Sequence, residues 1–237
     1  GQSSSALTAA QSALALGESS GVRIWDNYIL GHAAAAELSQ DRAESAQLWL
    51  DRMALGLGNA RPLDAGFYHT LELWRALLCG DLSAAREQLS VLRQHERAIH
   101  LWFGELGILQ AEAQTELAAG NPQAAAEPIR KLLTGARVHG SQRYEFIGSL
   151  LEAQQAFDQH RDNEGLASLG RALAIGREQR LVNFHGFLPR VVARLCARAL
   201  EAGLETEHVR AWIELRNLPV TDEARDLEAW PWPIRIY

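Results

Sequence analysis

Apolar residues recur at intervals of three and four along most of the chain, which is the spacing that places side chains on one face of an α-helix. The spacing is clearest in four runs: Ala46, Trp49, Leu50, Met53 and Leu57; Ala85, Leu89 and Leu92; Ala125, Ile129, Leu132 and Leu133; Leu166, Leu169 and Leu173. A looser linker follows each run, and then a longer and more uniformly apolar segment. A helix that is apolar on more than one side is typically covered by neighbours on more than one side. The pattern therefore predicts helix hairpins.

The linkers and the second helices have predicted positions. We expect linkers at 58–62, 95–100, 135–140 and 180–183. We expect the second helices at 64–79, 101–119, 142–159 and 184–202. The first forty residues fit the same plan, with helices at 3–16 and 25–38, and residues 205–216 read as a final helix whose partner is absent.

Four short segments with turn composition divide the chain at nearly constant intervals. Each contains an Asp or Asn, and these are Asp41, Asp81, Asn121 and Asp162. Their spacings are 40, 40 and 41 residues, and a weaker fifth copy lies at 202–205. Such a regular interval predicts about five repeats of one helix hairpin each.

Residues with special backbone roles occupy these segments. Gly80 and Gly120 can adopt the left-handed conformation that ends a helix. The following Asp81 or Asn121 can accept hydrogen bonds from the first free N–H groups of the next helix. Pro122 then falls at the first helical position, where the absence of an N–H costs nothing. Each segment is therefore predicted to be a tight turn between two helices.

A helical hairpin repeat with Gly-Asp or Gly-Asn at the turn resembles the tetratricopeptide repeat, whose usual period is about 34 residues. The longer period here is similar to that of the sensor region of MalT-like bacterial transcriptional activators. The resemblance covers residues 3–217 and implies an all-α, right-handed α-solenoid, a superhelix of about five hairpins. It also implies that an ATPase module and a DNA-binding module flank the repeats in a longer chain.

The last twenty residues differ from the repeats. Residues 230–233 read Trp-Pro-Trp-Pro, and an alternating, strand-like run follows at 234–237. This looks like the linker that leads into a winged-helix domain in relatives of these regulators. We therefore expect a repeat domain at 1–217 and a cap or linker at 218–237, in a fragment of a longer protein. As an alternative to ligand capture, Trp230 and Trp232 would fold back over the open end of the repeats.

Composition limits the classes of partner. With 47% hydrophobic and 22% charged residues, the chain has the profile of a folded protein. The net charge of −6, without a long basic run, argues against direct nucleic-acid binding and against a charged membrane-binding surface. Cys79 and Cys196 form no metal or disulfide motif, so we expect two buried structural thiols in a reducing cytoplasm.

Motifs for catalysis or metal binding are missing from the sequence. No two of the eight histidines lie three or four residues apart, and no HExxH occurs. The sequence contains neither GxSxG nor GxxxxGK[ST]. We therefore expect no metal site, no cofactor and no enzymatic activity in this chain.

Aromatic residues gather near the start of every second helix, and these are Trp25 and Tyr28, Phe67 and Tyr68, Trp102 and Phe103, Tyr144 and Phe146, Phe184 and Phe187. They would either pack one hairpin on the next or line a groove of the superhelix, where Trp and Tyr suit stacking on a ligand. Neighbours on a helix point about 100° apart, so one residue of an adjacent pair should be core and the other more exposed. The candidate ligand or partner contacts are Tyr68, Trp102, Arg143, Tyr144 and Phe184.

Two functions fit these patterns. In the first, the module senses a small-molecule effector or a protein segment in its groove and couples binding to the flanking modules. In the second, it is a plain protein–protein scaffold or oligomerisation domain without a small-molecule ligand. Self-association is compatible with both.

Overall fold

The computed structural model describes residues 2–99, 102–225 and 227–231, without the side chains of 2–4, 59 and 96–99. In this part of the chain there are eleven α-helices and no strands, so the all-α prediction is confirmed. The helices are α1 (Gln2–Ser20), α2 (Asp26–Leu38), α3 (Ala43–Ala54), α4 (Pro62–Cys79), α5 (Leu82–Ile99), α6 (Trp102–Ala118), α7 (Pro122–Val138), α8 (Gln142–Asp158), α9 (Asp162–Gln179), α10 (Pro189–Glu201) and α11 (Thr206–Arg216). Leu57–Asn59 and Asp222–Ala224 form single 3₁₀ turns.

The chain divides into two compact units. The N-terminal unit consists of Gly1–Ala111 and His185–Phe187, and the C-terminal unit of Glu112–Phe184 and Leu188–Tyr237. Inside each unit, helices that follow one another pack together, as α4 does on α5 and α8 on α9. Helices that are two apart in the chain also pack together, as α2 does on α4 and α8 on α10.

The contrast between one-sided and fully covered helices is visible in α7 and α8. In α7 the buried residues Ala125, Ile129 and Leu132 are three or four positions apart and form one face. In α8 nearly every position from Phe146 to Ala156 is buried. Helix α8 is covered in this way because α7, α9 and α10 all pack against it. Not every second helix is uniformly apolar: α10 carries arginines along one stripe at positions 190, 194 and 198.

Two of the turns have the geometry that their glycines predict. Gly80 and Gly120 have φ angles of 72° and 74°, in the left-handed region that favours glycine. After Gly80, the Asp81 carboxylate accepts a 2.9 Å hydrogen bond from the N–H of Ala84, as an N-cap does. Asn121 differs, because its side chain makes no cap bond. Its amide donates to the Glu116 carboxylate instead, at 3.1 Å.

The other two turns use non-glycine residues in the left-handed region. Asp41 has a φ angle of 59° and therefore takes the backbone role that glycine has elsewhere. In the fourth turn His160 does this, with φ 58°. Arg161 is the N-cap there, and Asp162 is already the first residue of α9. Asp, Asn and His are the non-glycine residues most often found in this conformation, which accounts for both Asp41 and His160.

Two predicted linkers are partly wrong, because α5 continues to Ile99 and α7 to Val138, and residues 184–188 depart from the predicted helix. The last of the long second helices was expected to begin at 184, but α10 begins at Pro189. Leu188 is extended, as the residue before a proline tends to be. The carbonyls of the preceding segment are bonded by side chains of the N-terminal unit: Trp74 Nε1 donates to Phe187 O at 2.9 Å, and Gln110 Nε2 to His185 O at 2.6 Å. These bonds replace those that a helix would have made.

The segment after α11 packs against the C-terminal unit. Ala224 and Trp230 are buried, and Arg210 Nε donates to Ala229 O at 2.7 Å. Burial of Trp230 agrees with a covering role and leaves no open ring face for ligand capture. Trp232 and the strand-like run at 234–237 lie outside the described residues. The expected boundary between 217 and 218 stays a prediction.

The two cysteines have different surroundings. Cys196 is buried in α10, and burial raises the pKa of its thiol. Cys79 is exposed at the end of α4, so the expectation of a second buried thiol is wrong. None of the helices described is both long and apolar enough to span a lipid bilayer.

Helix α11 contains a buried histidine nitrogen without a partner. The His208 ring stacks on Trp212 at 6.4 Å, and its Nε2 atom has no hydrogen-bond partner among the described residues. Burial lowers the pKa of His208 below 6.5, while Glu205 opposes this effect and Arg177 adds to it. Protonation of His208 is therefore disfavoured in the folded state.

We expect Gly120→Val to lower the free energy of unfolding by about 1 kcal/mol or more, because valine is strained at a positive φ. Gly170→Ala is the matched control, since Gly170 lies inside α9 and an added methyl group would meet nothing within 4 Å. This control should raise stability by up to about 1 kcal/mol through helix propensity. Urea unfolding measures both, and an unchanged midpoint for Gly120→Val would contradict the turn geometry.

The His208 environment predicts a pH dependence of stability. Because the folded-state pKa is below 6.5, the unfolded chain binds more protons, and stability falls as pH drops through and below 6.5. His208→Phe keeps an aromatic ring on Trp212 and removes the titrating group, so it should flatten this dependence. Thermal unfolding of both proteins from about pH 7.5 to 5 tests the expectation. Parallel curves would exclude His208 as the cause.

Candidate functional site

Four rings of the N-terminal unit meet in a continuous cluster near the start of α2 and α4. Trp25 contacts Tyr28 with ring centroids 6.3 Å apart, and Tyr28 contacts His32 at 4.3 Å. Phe67 contacts both Tyr28 and His32, at 6.4 and 5.3 Å. We call these four residues, together with Arg61, the aromatic surface.

Arg61 connects the loop before α4 with the loop before α2. Its guanidinium carbon lies 5.1 Å from the centre of the Trp25 ring, within the range of a cation–π contact. The same guanidinium donates twice to the Asp64 carboxylate, at 2.8 and 3.0 Å. Since this bidentate pair limits the rotation of Arg61, it holds the arginine against Trp25.

Local sequence explains why the rings converge. Tyr28 and His32 are four residues apart on α2, so they share one face of that helix. Gly31 leaves room beside them, because a Cβ atom at this position would lie 2.5 Å from Cε1 of Phe67. Phe67 can therefore pack directly on the backbone of α2. Burial lowers the pKa of His32, so the ring in this cluster favours the neutral form.

The outer part of the aromatic surface is open to solvent. Trp25 is 51% exposed and Tyr28 is 48% exposed. Exposed apolar side chains also occur in the loops before α2 and α4 and in the first turn of α4, and these are Val22, Ile24, Leu55 and Leu63. Trp, Tyr and Arg are the residues most enriched where binding energy concentrates in protein interfaces. This combination is the best-formed candidate for a binding surface in the part of the chain that the structure describes.

Two of the sequence-predicted contacts, Tyr68 and Trp102, also lie in the N-terminal unit. The hydroxyl of Tyr68 donates to the Glu72 carboxylate at 3.3 Å, and Glu72 pairs with Arg75 at 2.9 Å. Burial and the neighbouring Glu72 raise the pKa of Tyr68 to about 12. Trp102 and Phe103 are both half-exposed, so the expectation that one of this pair would be core is wrong.

The other three predicted contacts, Arg143, Tyr144 and Phe184, lie in the C-terminal unit. Arg143 is exposed and Tyr144 is half-buried, and burial raises the pKa of Tyr144. Phe184 is buried and packs edge-on against Phe146 at 5.9 Å. Phe184 thus packs in the interior of its unit, as the packing interpretation predicts for some of the aromatics.

Phe184 also borders an apolar cavity inside the C-terminal unit. The cavity has a volume of about 40 Å³, whereas pockets for small molecules usually measure about 300–1,000 Å³. Its walls are mostly aliphatic, and they include Ile147, Leu150, Leu151, Val192 and Leu195. A space of this size fits a packing gap and not a preformed effector site.

A wider polar depression lies at the turns of the C-terminal unit, with a volume of about 570 Å³. Arg194 at its edge pairs with Asp158 at 2.8 Å. The neighbouring Arg198 pairs with Asp162 at 2.8 Å and lies 4.8 Å from the centre of the Phe157 ring. Because these arginines are already paired with carboxylates, the depression offers little uncompensated charge to a ligand.

Ligand atoms for a complete metal site do not converge in the described residues. No three His, Cys, Asp or Glu side chains lie close enough there to hold an ion between them. Trp25 and Tyr28 are among the aromatics at the starts of second helices, but neither they nor His32 and Arg61 are among the contacts predicted from the sequence. The repeated aromatics at the starts of second helices were the available signal, but exposure depends on which neighbours cover each ring.

We expect Phe184→Ala to lower the free energy of unfolding by about 3–5 kcal/mol, as truncation of a buried aromatic residue does. Trp102→Ala is the comparison, because Trp102 is 42% exposed and should cost well under half of that amount. Chemical denaturation gives both values. A small effect at Phe184 would return this residue to the candidate ligand contacts.

No family model matches this chain, and no curated protein is significantly similar to it. The resemblance to helical-repeat regulators therefore stays a prediction, and the function is argued from the helices and their surfaces.

Proposed function

We propose that this chain is a non-catalytic helical-repeat module that binds a protein segment through the aromatic surface. The single observation that carries the proposal is the exposure of Trp25 and Tyr28, 51% and 48%, on a cluster backed by Phe67 and Arg61. Ring side chains that already pack against neighbours on one side lose little conformational entropy when a partner covers their exposed side.

The helical-repeat part of the proposal is supported by packing inside each unit. In a solenoid each hairpin packs only on its neighbours, so alternate helices should meet as well as consecutive ones. The contacts of α2 with α4 and of α8 with α10 have this pattern. The spacing of the four turns, near 40 residues, supports the same arrangement. The right-handed superhelix follows from the resemblance to tetratricopeptide repeats.

A protein segment is favoured over a small-molecule effector by the size and charge of the available spaces. The apolar cavity holds about 40 Å³, far below the size of a metabolite site, and the larger polar depression is bordered by Arg194, which is already paired with Asp158. The aromatic surface is open, and the loops before α2 and α4 carry exposed aliphatic side chains, among them Ile24 and Leu55. Such a surface suits an apolar or aromatic side chain carried by an extended or helical segment.

The regulatory part of the proposal is that binding here changes the state of flanking modules. The resemblance to MalT-like regulators suggests an ATPase module and a DNA-binding module as those neighbours. Linkage requires the bound segment to favour one arrangement of them over another. The proposed role is thus signal transduction in bacterial transcription regulation, without direct nucleic-acid binding by these residues.

The test selects peptides that bind the purified chain from a random library and measures their Kd. Trp25→Ala should raise Kd at least about tenfold, as loss of an interface anchor does. Trp49→Ala is the matched control, since Trp49 is a partly exposed tryptophan of the same unit and also has an arginine, Arg52, over its ring. Peptides that bind the Trp25→Ala, Tyr28→Ala double variant as tightly as the original chain would refute the aromatic surface.

The plain scaffold function predicts a different result in light scattering. If the exposed aliphatic residues form an interface between copies of the chain, the apparent mass should rise with concentration, and Ile24→Ser with Leu55→Ser should restore the monomer.

A thermal-shift screen of metabolites tests the small-molecule alternative. Stabilisation that survives Trp25→Ala would place an effector elsewhere.

A further inference from the structure

Two histidines that are distant in sequence meet across the α4–α5 hairpin. His69 of α4 and His95 of α5 have ring centroids 5.4 Å apart with an interplanar angle of 49°. Both side chains are half-buried in the N-terminal unit. Packing of α4 on α5 produces this contact.

In each ring the hydrogen bond of Nδ1 determines whether Nε2 carries a proton. Nδ1 of His69 lies 2.8 Å from Oε1 of Gln88, and Nδ1 of His95 lies 3.1 Å from the carbonyl oxygen of Val91. Both acceptors are oxygens, so each Nδ1 carries the proton and donates it. Each Nε2 therefore keeps its lone pair, and neither has a hydrogen-bond partner among the described residues.

This arrangement is the one that metal-binding histidines usually have. A ligating imidazole donates its other N–H to a carbonyl, carboxylate or water, which orients the ring and makes the ligating nitrogen more basic. Two imidazoles on a tetrahedral ion, with metal–nitrogen distances of about 2.0–2.1 Å, have ring centres about 5 Å apart. The observed 5.4 Å is close to that separation.

We propose that His69 and His95 form a binding site for a divalent transition-metal ion, with Gln88 and the Val91 carbonyl as their orienting partners. Two nitrogens leave at least two coordination positions of the ion, which water or an added ligand fills. Because no three ligand side chains converge among the residues that the structure describes, the two histidines would form an open site and not a closed structural one. The proposal does not depend on the aromatic surface or on the protein segment proposed to bind there.

The two imidazole ligands determine which metal ions this site should bind. Copper, nickel and zinc suit imidazole ligands, while magnesium and calcium prefer oxygen. Affinity for the divalent ions should follow the order in which Cu²⁺ exceeds both Ni²⁺ and Zn²⁺. Mg²⁺ and Ca²⁺ should not bind here.

The experiment is calorimetric titration of the full chain with Cu²⁺, Zn²⁺ and Mg²⁺ in a buffer without chelators. We expect one saturable Cu²⁺ and Zn²⁺ site, and His69→Ala or His95→Ala should raise its Kd at least about tenfold. His139→Gln, an exposed histidine in the C-terminal unit, is the control and should leave Kd unchanged. Circular dichroism checks that each variant keeps its helical content.

Gln88→Glu tests the orienting partner while both ligands stay in place. A carboxylate that accepts from Nδ1 of His69 should make Nε2 more basic and lower Kd, whereas Gln88→Leu should raise it about 10- to 100-fold. A purely structural contact between the two rings would give no such opposite effects. Absence of saturable Cu²⁺ binding, or equal binding by the original chain and both alanine variants, would overturn the proposal.

Discussion

A helix buried around most of its circumference is stable only when neighbours cover it on several sides, and this requirement governs the packing of α8. Positions from Phe146 to Ala156 are almost all buried, because α7, α9 and α10 surround the helix. Helix α7 has a single buried face and an exposed polar one. In the helical-repeat arrangement that we propose, each new hairpin would bury a face that its predecessor leaves open. The turns at Gly80 and Gly120, 40 residues apart, both have left-handed glycines.

The same requirement separates structural aromatic residues from those available to a partner. Phe184 and Phe187 occupy interior positions, and Trp74 and Trp212 each donate an indole hydrogen bond to a backbone carbonyl. Trp25 and Tyr28 are anchored by neighbours but open to solvent. The small volume of the enclosed cavity and the pairing of Arg194 with Asp158 leave this exposed cluster as the best candidate for recognition.

The proposed metal site illustrates how a hairpin creates chemistry that neither helix has alone. His69 and His95 lie on different helices, and the acceptors of their Nδ1 protons lie on α5. Packing of the hairpin sets the ring separation, and the hydrogen bonds set which nitrogen is free to ligate. Binding of an ion there would also connect α4 to α5 and add to their apolar contact.

The sequence by itself determined the helices, most of their bounds and the turns at Gly80 and Gly120, because periodicity, left-handed glycine and proline at the first helical position act within a few residues. It did not predict that residues 184–188 would leave the helix, since Trp74 and Gln110, which bond His185 and Phe187, are far away in the chain. Nor could it distinguish the buried Phe184 from the exposed Trp25, or place His69 beside His95. Burial and side-chain pairing depend on which helices meet. Only the tertiary structure decides that, because the same apolar face can be covered by more than one neighbour.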